Sequence, residues 1–303
     1  MNPRPFVSVV IPTRARPALV VCAVTSVLKQ TVTDLEVIVV IDGPDQETVR
    51  ALDAINSPRL KVLALPQQGG GARARNEGVN AAAGEWLAFL DDDDEWLPEK
   101  LVQQLTVAKA SPAPHPIVAC QVVARTARGE FIWPRKPPCE PLSEYLLARD
   151  SWRQGEGLLQ TSTLLTTRRL LLEVPFEDGL RKHQDWDWLL RAVLVPGAKI
   201  EFVPQPLAIW NLEPSQASVS RRHDWQGSLA WIRDRRSLVT RRAYAGFLAT
   251  QVGSQAARQR QWRAFLPLMA EMLRIGSPKA IDVLLFLGMW VVPPSFRERG
   301  KVS

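Results

Sequence analysis

The stretch that most constrains this chain runs from Gly84 to Pro98. Trp86-Leu87-Ala88-Phe89-Leu90 is a short apolar run, and four consecutive aspartates, Asp91 to Asp94, follow it directly. A short unbroken apolar run bounded by Gly and Pro predicts a buried strand of a parallel sheet. The aspartates then lie just past its carboxyl end, where open α/β sheets bind ligands. Four adjacent carboxylates repel one another at neutral pH, and a divalent cation would relieve that repulsion.

The residues before this stretch predict an alternating fold. Phe6 to Ile11 is β-rich and stops at Pro12, and Pro17 to Lys29 has apolar residues at helical spacing. Leu35 to Ile41 predicts a second strand, Asp45 to Ile55 a helix capped by Asp45, and Leu60 to Leu65 a third strand. A glycine-rich turn, Gln67 to Gly71, leads into an Ala-rich helix, Ala72 to Ala83. The order βαβαβαβ calls for an α/β domain, a mostly parallel sheet with helices on both faces.

Later elements are shorter. A helix is expected over Pro98 to Lys109, with Asp94-Glu95 able to begin it. Strands follow at Ile117–Ala124 and Glu130–Trp133, and a helix at Glu140–Arg149. Ser162–Thr166 reads as a short strand before a helix at Arg168–Glu173, and Gln184–Val195 as an amphipathic helix rich in Trp and Leu. Two short strands are expected at Ile200–Val203 and Leu207–Trp210, then helices near 225–242, 244–258, 261–275 and 279–292. The expected division is a domain over 1–215 and a helical C-terminal region over 216–303.

Charge marks the same boundary. The chain of 303 residues carries a formal +7, yet residues 211–303 hold 15 Lys/Arg against 6 Asp/Glu, so the rest is close to neutral. A basic C-terminal part could meet nucleic acid, anionic lipid or an anionic substrate. Its apolar run, Val283 to Val292, is shorter than the roughly 20 residues that span a bilayer. Followed by Arg297, Arg299 and Lys301, it suits a helix lying on an anionic membrane, or a terminal helix docked on protein. Cys22, Cys120 and Cys139 have no metal-ligand spacing and read as free thiols. No signal peptide precedes the first strand, so the expected location is the cytoplasm, with peripheral contact at the inner face of a membrane left open.

Three acidic points fall at strand ends or in loops: Asp42, the Asp91–Asp94 cluster and Asp185. Asp42 ends the second strand, where an acid often holds a ribose, although Asp-Gly-Pro is also ordinary turn chemistry. Gly69-Gly70-Gly71 lets backbone approach a ligand closely, and Arg73 and Arg75 could pair with phosphate.

In this order the motifs resemble family 2 glycosyltransferases of the GT-A fold, a Rossmann-like architecture. The matching segments are Val7 to Thr13, Val40 to Gly43, Ala74 to Gly78, Gly84 to Asp94, and His183 to Arg191. The resemblance covers about residues 5–215. It implies inverting transfer of a sugar from a nucleoside-diphosphate donor, UDP- or dTDP-linked as the first expectation, to a hydroxyl of a glycan or lipid-linked acceptor. It implies that Pro12, Thr13, Asp42, Arg75, Asp91 and Asp92 bind the nucleotide sugar. Asp91 and Asp93 match the Asp-X-Asp element that holds the ribose and a divalent metal, Mg2+ or Mn2+. Asp185 matches the catalytic base. The family usually has Glu before that Asp, and this chain has Gln184, which keeps the shape and removes a charge. Asp187 is expected to be structural, through Arg191. Trp186 and Trp188 are expected in the core or pocket wall, and His183 near acceptor or phosphate. Arg221-Arg222-His223 reads equally as a lid over the diphosphate or as a solvated helix start. Two other readings of the carboxylates remain at this stage. One is a nucleotidyltransferase; the other is a non-catalytic nucleotide- or metal-binding protein with a basic tail.

Overall fold

A computed structural model describes residues 5–152, 155–212 and 224–292. In chain order the elements are β1 (Val7–Thr13), α1 (Pro17–Leu28), β2 (Leu35–Ile41), α2 (Gln46–Asp53), β3 (Leu60–Ala64), α3 (Gly71–Ala81), β4 (Trp86–Phe89), β5 (Glu95–Trp96), α4 (Lys100–Ala110), β6 (His115–Thr126) and β7 (Gly129–Trp133). Then come α5 (Leu142–Leu147), β8 (Leu165–Thr167), α6 (Arg168–Glu173), α7 (Gln184–Ala192), β9 (Ala198–Asn211), α8 (Trp225–Asp234), α9 (Arg241–Phe247), α10 (Gly253–Arg258), α11 (Phe265–Arg274) and α12 (Ala280–Val291). The chain divides into two compact units, residues 1–133 with 159–216, and residues 134–158 with 217–303.

The first unit holds one sheet, ordered β3-β2-β1-β4-β8-β6-β9-β5, with β7 on β6. β3, β2, β1 and β4 run parallel, as the alternating pattern predicts. Every residue of β1 and β2 is buried, the mark of a sheet covered on both faces. Helices α1 and α3 pack on these strands, and α4 packs on β6 and β9. Each fully buried Val or Ile here contributes about 1.5–3 kcal/mol. Beyond β4 the sheet becomes mixed, because β8 is antiparallel to both β4 and β6.

Two local expectations need correction. Asp94-Glu95 does not open a helix. Glu95 and Trp96 form a two-residue strand antiparallel to β9, and α4 begins only at Lys100. Burial of Trp96 to 3% exposure, with its ring N–H donating to the Ser162 carbonyl at 2.9 Å, favours the extended pairing. Ile200–Val203 and Leu207–Trp210 are not separate strands either. They are one strand, β9, parallel to β6, and register shifts on either side of Gln121 absorb the extra residues Pro204, Gln205 and Leu207.

The second unit is helical. α9 and α10 are joined by a π-helical turn, Leu248–Val252, and α5 packs on α9. Phe265 of α11 meets Phe286 and Trp290 of α12, each with ring centroids 5.4 Å apart.

Candidate active site

The carboxyl ends of β1, β2 and β4 lie side by side because these strands are neighbours in register: Thr13 pairs with Ile41, and Val10 with Phe89. Asp42 follows β2 and turns its carboxylate onto the glycine loop, accepting from the Gly69 N–H at 2.6 Å and the Gly70 N–H at 3.0 Å. Gly70 has φ of +87°, a conformation that glycine adopts without a Cβ clash. Asp42 therefore shapes the loop that starts α3, and Pro12 and Thr13 are buried in β1.

The four aspartates divide among three sets of partners, Asp92 and Asp93 sharing Arg16. The Asp91 carboxylate accepts from Arg75 Nη2 at 2.5 Å. Asp92 accepts from the Thr13 hydroxyl at 2.7 Å and from Arg16 Nη1 at 2.9 Å. Asp93 lies 3.2 Å from the same Arg16 nitrogen. Asp94 is 1% exposed and accepts from Gln160 at 2.7 Å and Ser162 at 2.6 Å. The Asn211 side chain at the end of β9 donates to the Asp93 carbonyl at 2.8 Å. Asp94 thus fixes the loop, while Asp91, Asp92 and Asp93 face arginines. Arg16, Gln160, Ser162 and Asn211 contact the aspartate cluster, and the sequence pattern did not single them out. Arg16 is aimed by Ala15, whose φ is +50° and whose N–H donates to Asp45 at 3.0 Å.

Arg75 joins two distant segments. Its Nη1 donates to Gln184 Oε1 at 2.7 Å while its Nη2 holds Asp91. Gln184 opens α7 and is fixed in turn by donating to the Leu180 carbonyl at 2.6 Å. Gly71 is the close neighbour of this bridge, since a Cβ there would stand 3.0 Å from Arg75 Nη1 and 3.2 Å from Gln184 Oε1. His183 precedes α7 with φ of +64° and stacks on Trp186, ring centroids 5.2 Å apart. Asp185 is next to Gln184, in the first turn of α7, and accepts from the Trp186 N–H at 2.9 Å. Asp187 is fully buried and pairs with Arg191 at 2.8 Å, and Trp188 is fully buried. Arg221, Arg222, His223, Arg297, Arg299 and Lys301 lie outside the described residues.

Burial is the main electrostatic force at these acids. It raises the Asp185 pKa to about 6; the Trp186 N–H and Arg75 oppose the rise, and Asp91 adds to it. The Asp93 pKa also reaches about 6, through burial and then the charges of Asp91 and Asp92. Burial likewise raises Asp92 and Asp94. Burial lowers the His183 pKa to about 3, so its imidazole is neutral at physiological pH.

The donors around Asp91–Asp93 are carboxylate oxygens, the chemistry that hard divalent cations take. Among the described residues no three His, Cys, Asp or Glu groups are arranged to hold a metal ion by themselves. Mg2+ and Mn2+ sites of the kind completed by substrate phosphates need only one or two carboxylates, so this set fits such an ion.

The sequence model of a family described as "Glycosyl transferase family 2" matches residues 8–174, more than half of the chain. The amylovoran biosynthesis glycosyltransferase AmsB of Erwinia amylovora is 29% identical over 242 residues, 78% of this chain and 79% of that protein. Among solved structures, S. aureus TarS 1–349 with UDP-GlcNAc superposes with a TM-score of 0.61 at 17% identity, covering 93% of this chain and 79% of that one. The mannosyltransferase PcManGT of Pyrobaculum calidifontis, solved with GDP-Man and Mn2+, gives 0.58 at 19% identity, covering 98% and 84%. These likenesses carry the GT-A fold. The family match sets aside the nucleotidyltransferase and the non-catalytic binding protein: the chain belongs to glycosyl transferase family 2 and is a glycosyltransferase.

Proposed function

We propose that this glycosyltransferase moves a sugar, with inversion, from a nucleoside-diphosphate sugar to a hydroxyl of a glycan or lipid-linked glycan in surface-polysaccharide synthesis. The observation that carries this reading is the Arg75 bridge, which brings Asp91 at the end of β4 beside Gln184-Asp185 at the start of α7. One side of the bridge is suited to a leaving diphosphate, the other to an incoming hydroxyl.

Asp91 and Asp93 would hold the divalent cation, Mg2+ or Mn2+. The bound cation acts as a Lewis acid that stabilises the negative charge growing on the leaving diphosphate. Arg16 is the chain's own cation at Asp92 and Asp93, and its guanidinium can turn to the diphosphate when those acids are engaged. Pro12, Thr13, Asp42 and the glycine loop flank the nucleoside, and Asp92 keeps Thr13 in place through its 2.7 Å hydrogen bond. Asp185 removes the acceptor proton as the oxygen attacks, a contribution of roughly 10²–10⁴-fold. A pKa near 6 leaves it mostly ionised at neutral pH and more basic than a solvated carboxylate. Gln184 positions Arg75 without adding a charge beside that base. The two relatives solved with UDP-GlcNAc and GDP-Man support a nucleotide sugar as donor, with UDP- and dTDP-sugars the first to test.

The test is a panel of UDP-, dTDP- and GDP-sugars with glycan and lipid-linked acceptors, read by mass spectrometry, with the product anomer assigned by NMR. Release of the nucleoside diphosphate, an inverted linkage and loss of transfer in Asp185→Asn are expected. A product of retained configuration, or full transfer by Asp185→Asn, refutes the assignment.

A further inference from the structure

Exposed apolar side chains are unevenly distributed. Of the twelve large ones that stand exposed among the described residues, nine belong to the helical unit, so the exposed apolar area is gathered there. Helix α11 carries a dense part of it. Leu266, Pro267, Ala270 and Leu273 follow helical spacing and form one stripe. Leu266 is 72% exposed and Leu273 54%, whereas Leu268 and Met272, facing the other way, are buried in the unit. The helix therefore has an apolar face inward and a second apolar face outward.

Beside the outward face lies a groove of ≈ 450 Å³ that shares Pro267 and Ala270 with it. The remaining wall includes Arg233, Arg236 and Arg274, with Glu271 the single acid. Glu271 is already taken: Arg233 donates to it at 2.9 and 2.5 Å, and the Tyr244 hydroxyl donates at 2.5 Å. Arg236 lies 5.3 Å over the Tyr244 ring and donates to the Val239 carbonyl at 3.0 Å. The Arg274 side chain has no hydrogen bond or ion pair among the described residues. Two guanidinium charges, on Arg236 and Arg274, are thus left without a carboxylate in the groove.

We infer that the α11 stripe and this groove seat the chain on an anionic lipid surface. Leu266 and Leu273 enter the boundary between headgroups and acyl chains, and a lipid phosphate enters the groove between Arg236 and Arg274. An exposed apolar stripe bordered by arginines is the surface chemistry of interfacial helices. No helix of the described residues is long and apolar enough to cross a membrane, so the contact is peripheral. A second copy of the chain fits less well. A twofold contact would bring this patch against itself and set the unpaired arginines face to face. The contact is centred on α11, and it does not depend on the donor or the acceptor.

The experiment is sedimentation of the full chain with phosphatidylcholine vesicles, with and without phosphatidylglycerol, while the total tryptophan emission, to which the exposed Trp262 contributes, is followed by fluorescence. Binding is expected to the anionic vesicles, with a blue shift of the emission, and to weaken as salt rises. Leu266→Ser with Leu273→Ser should lower partitioning about tenfold or more, since each side chain would otherwise leave water. Arg236→Gln with Arg274→Gln should lower it by a similar factor, because each arginine near an anionic surface is worth roughly fivefold. Unchanged melting of both variants separates a lost contact from a lost fold. Equal binding to neutral and anionic vesicles, or parent-like binding by both variants, overturns the proposal. So does a dimer, seen by light scattering, that the leucine substitutions dissolve.

Discussion

Asp185 combines two properties that pull against each other. As the proposed base it needs its charged form to accept a proton, and its surroundings disfavour that form, raising its pKa to about 6. Turnover with a given donor, as kcat/KM, should therefore fall as pH drops through about 6 and level off above it. Asp185→Asn should cost roughly 10²–10⁴-fold in turnover. The same substitution should alter stability in a pH-dependent way. A raised folded-state pKa means that the relative stability conferred by the acid is present below its ordinary value of 3.8 and is lost as pH rises through about 6. The unfolding free energy of Asp185→Asn should therefore match the parent's more closely at pH 4 and exceed it by about 1–3 kcal/mol at pH 8, the variant being the more stable there. Gln184→Glu makes a second test. A new carboxylate on the Arg75 bridge would disfavour ionisation of Asp185, moving the acid limb of the pH profile upward by about half a unit. An unmoved limb would mean that Arg75 fully screens position 184. Asp185 and the aspartate cluster could be proposed from the sequence because both lie in segments that resemble family motifs, Gly84 to Asp94 and His183 to Arg191. Arg16 could not. Thr13-Arg14-Ala15-Arg16-Pro17 offers two arginines, and only the turn at Ala15 distinguishes the one that folds back onto Asp92 and Asp93.

At the scale of elements, the site is a meeting of strand ends with the first turns of α3 and α7. The β1–β4 part of the sheet was readable because each strand is mainly apolar, with few interruptions such as Ser8, Glu36 and Lys61, and is buried throughout in β1, β2 and β4. β5 was not, since two residues carry no periodicity and the pairing with β9 comes from Trp96 burial. β9 read as two strands because prolines at 204 and 206 normally end one, and the register shift opposite Gln121 is a property of its partner β6. Gln160 and Ser162, which hold Asp94, are uncharged residues 66 and 68 positions away, with no pattern to tie them to it. The glycine loop makes a prediction of its own. Gly71→Ala places a methyl against the Arg75–Gln184 contact at about 3 Å, tighter than relaxed packing allows. The helix itself gains propensity from alanine, so overall melting should change little. KM for the donor should rise several-fold, as measured by steady-state kinetics.

Across the whole molecule, two units divide the chemistry. The sheet unit contains the acids, and the helical unit contains most of the exposed apolar side chains. Charge asymmetry along the chain was readable from composition, but the α11 stripe was not. Its inner and outer faces are both apolar, so sequence alone could not say which one the fold leaves uncovered. Binding of ligand should be visible as global stabilisation. A nucleoside diphosphate with Mn2+ at about a hundredfold over its dissociation constant adds about 2.7 kcal/mol. That should raise the melting temperature by several degrees, and a chelator should reverse most of it. The chelator should not unfold the chain, however. Arg16 bridges Asp92 and Asp93 at 2.9 and 3.2 Å, so the acids are partly neutralised by a group that never leaves the polypeptide. On the proposed cation-dependent mechanism, metal scarcity would idle this enzyme without wrecking it: stocks stripped of ions should keep their shape in storage and recover full turnover once the ion is restored.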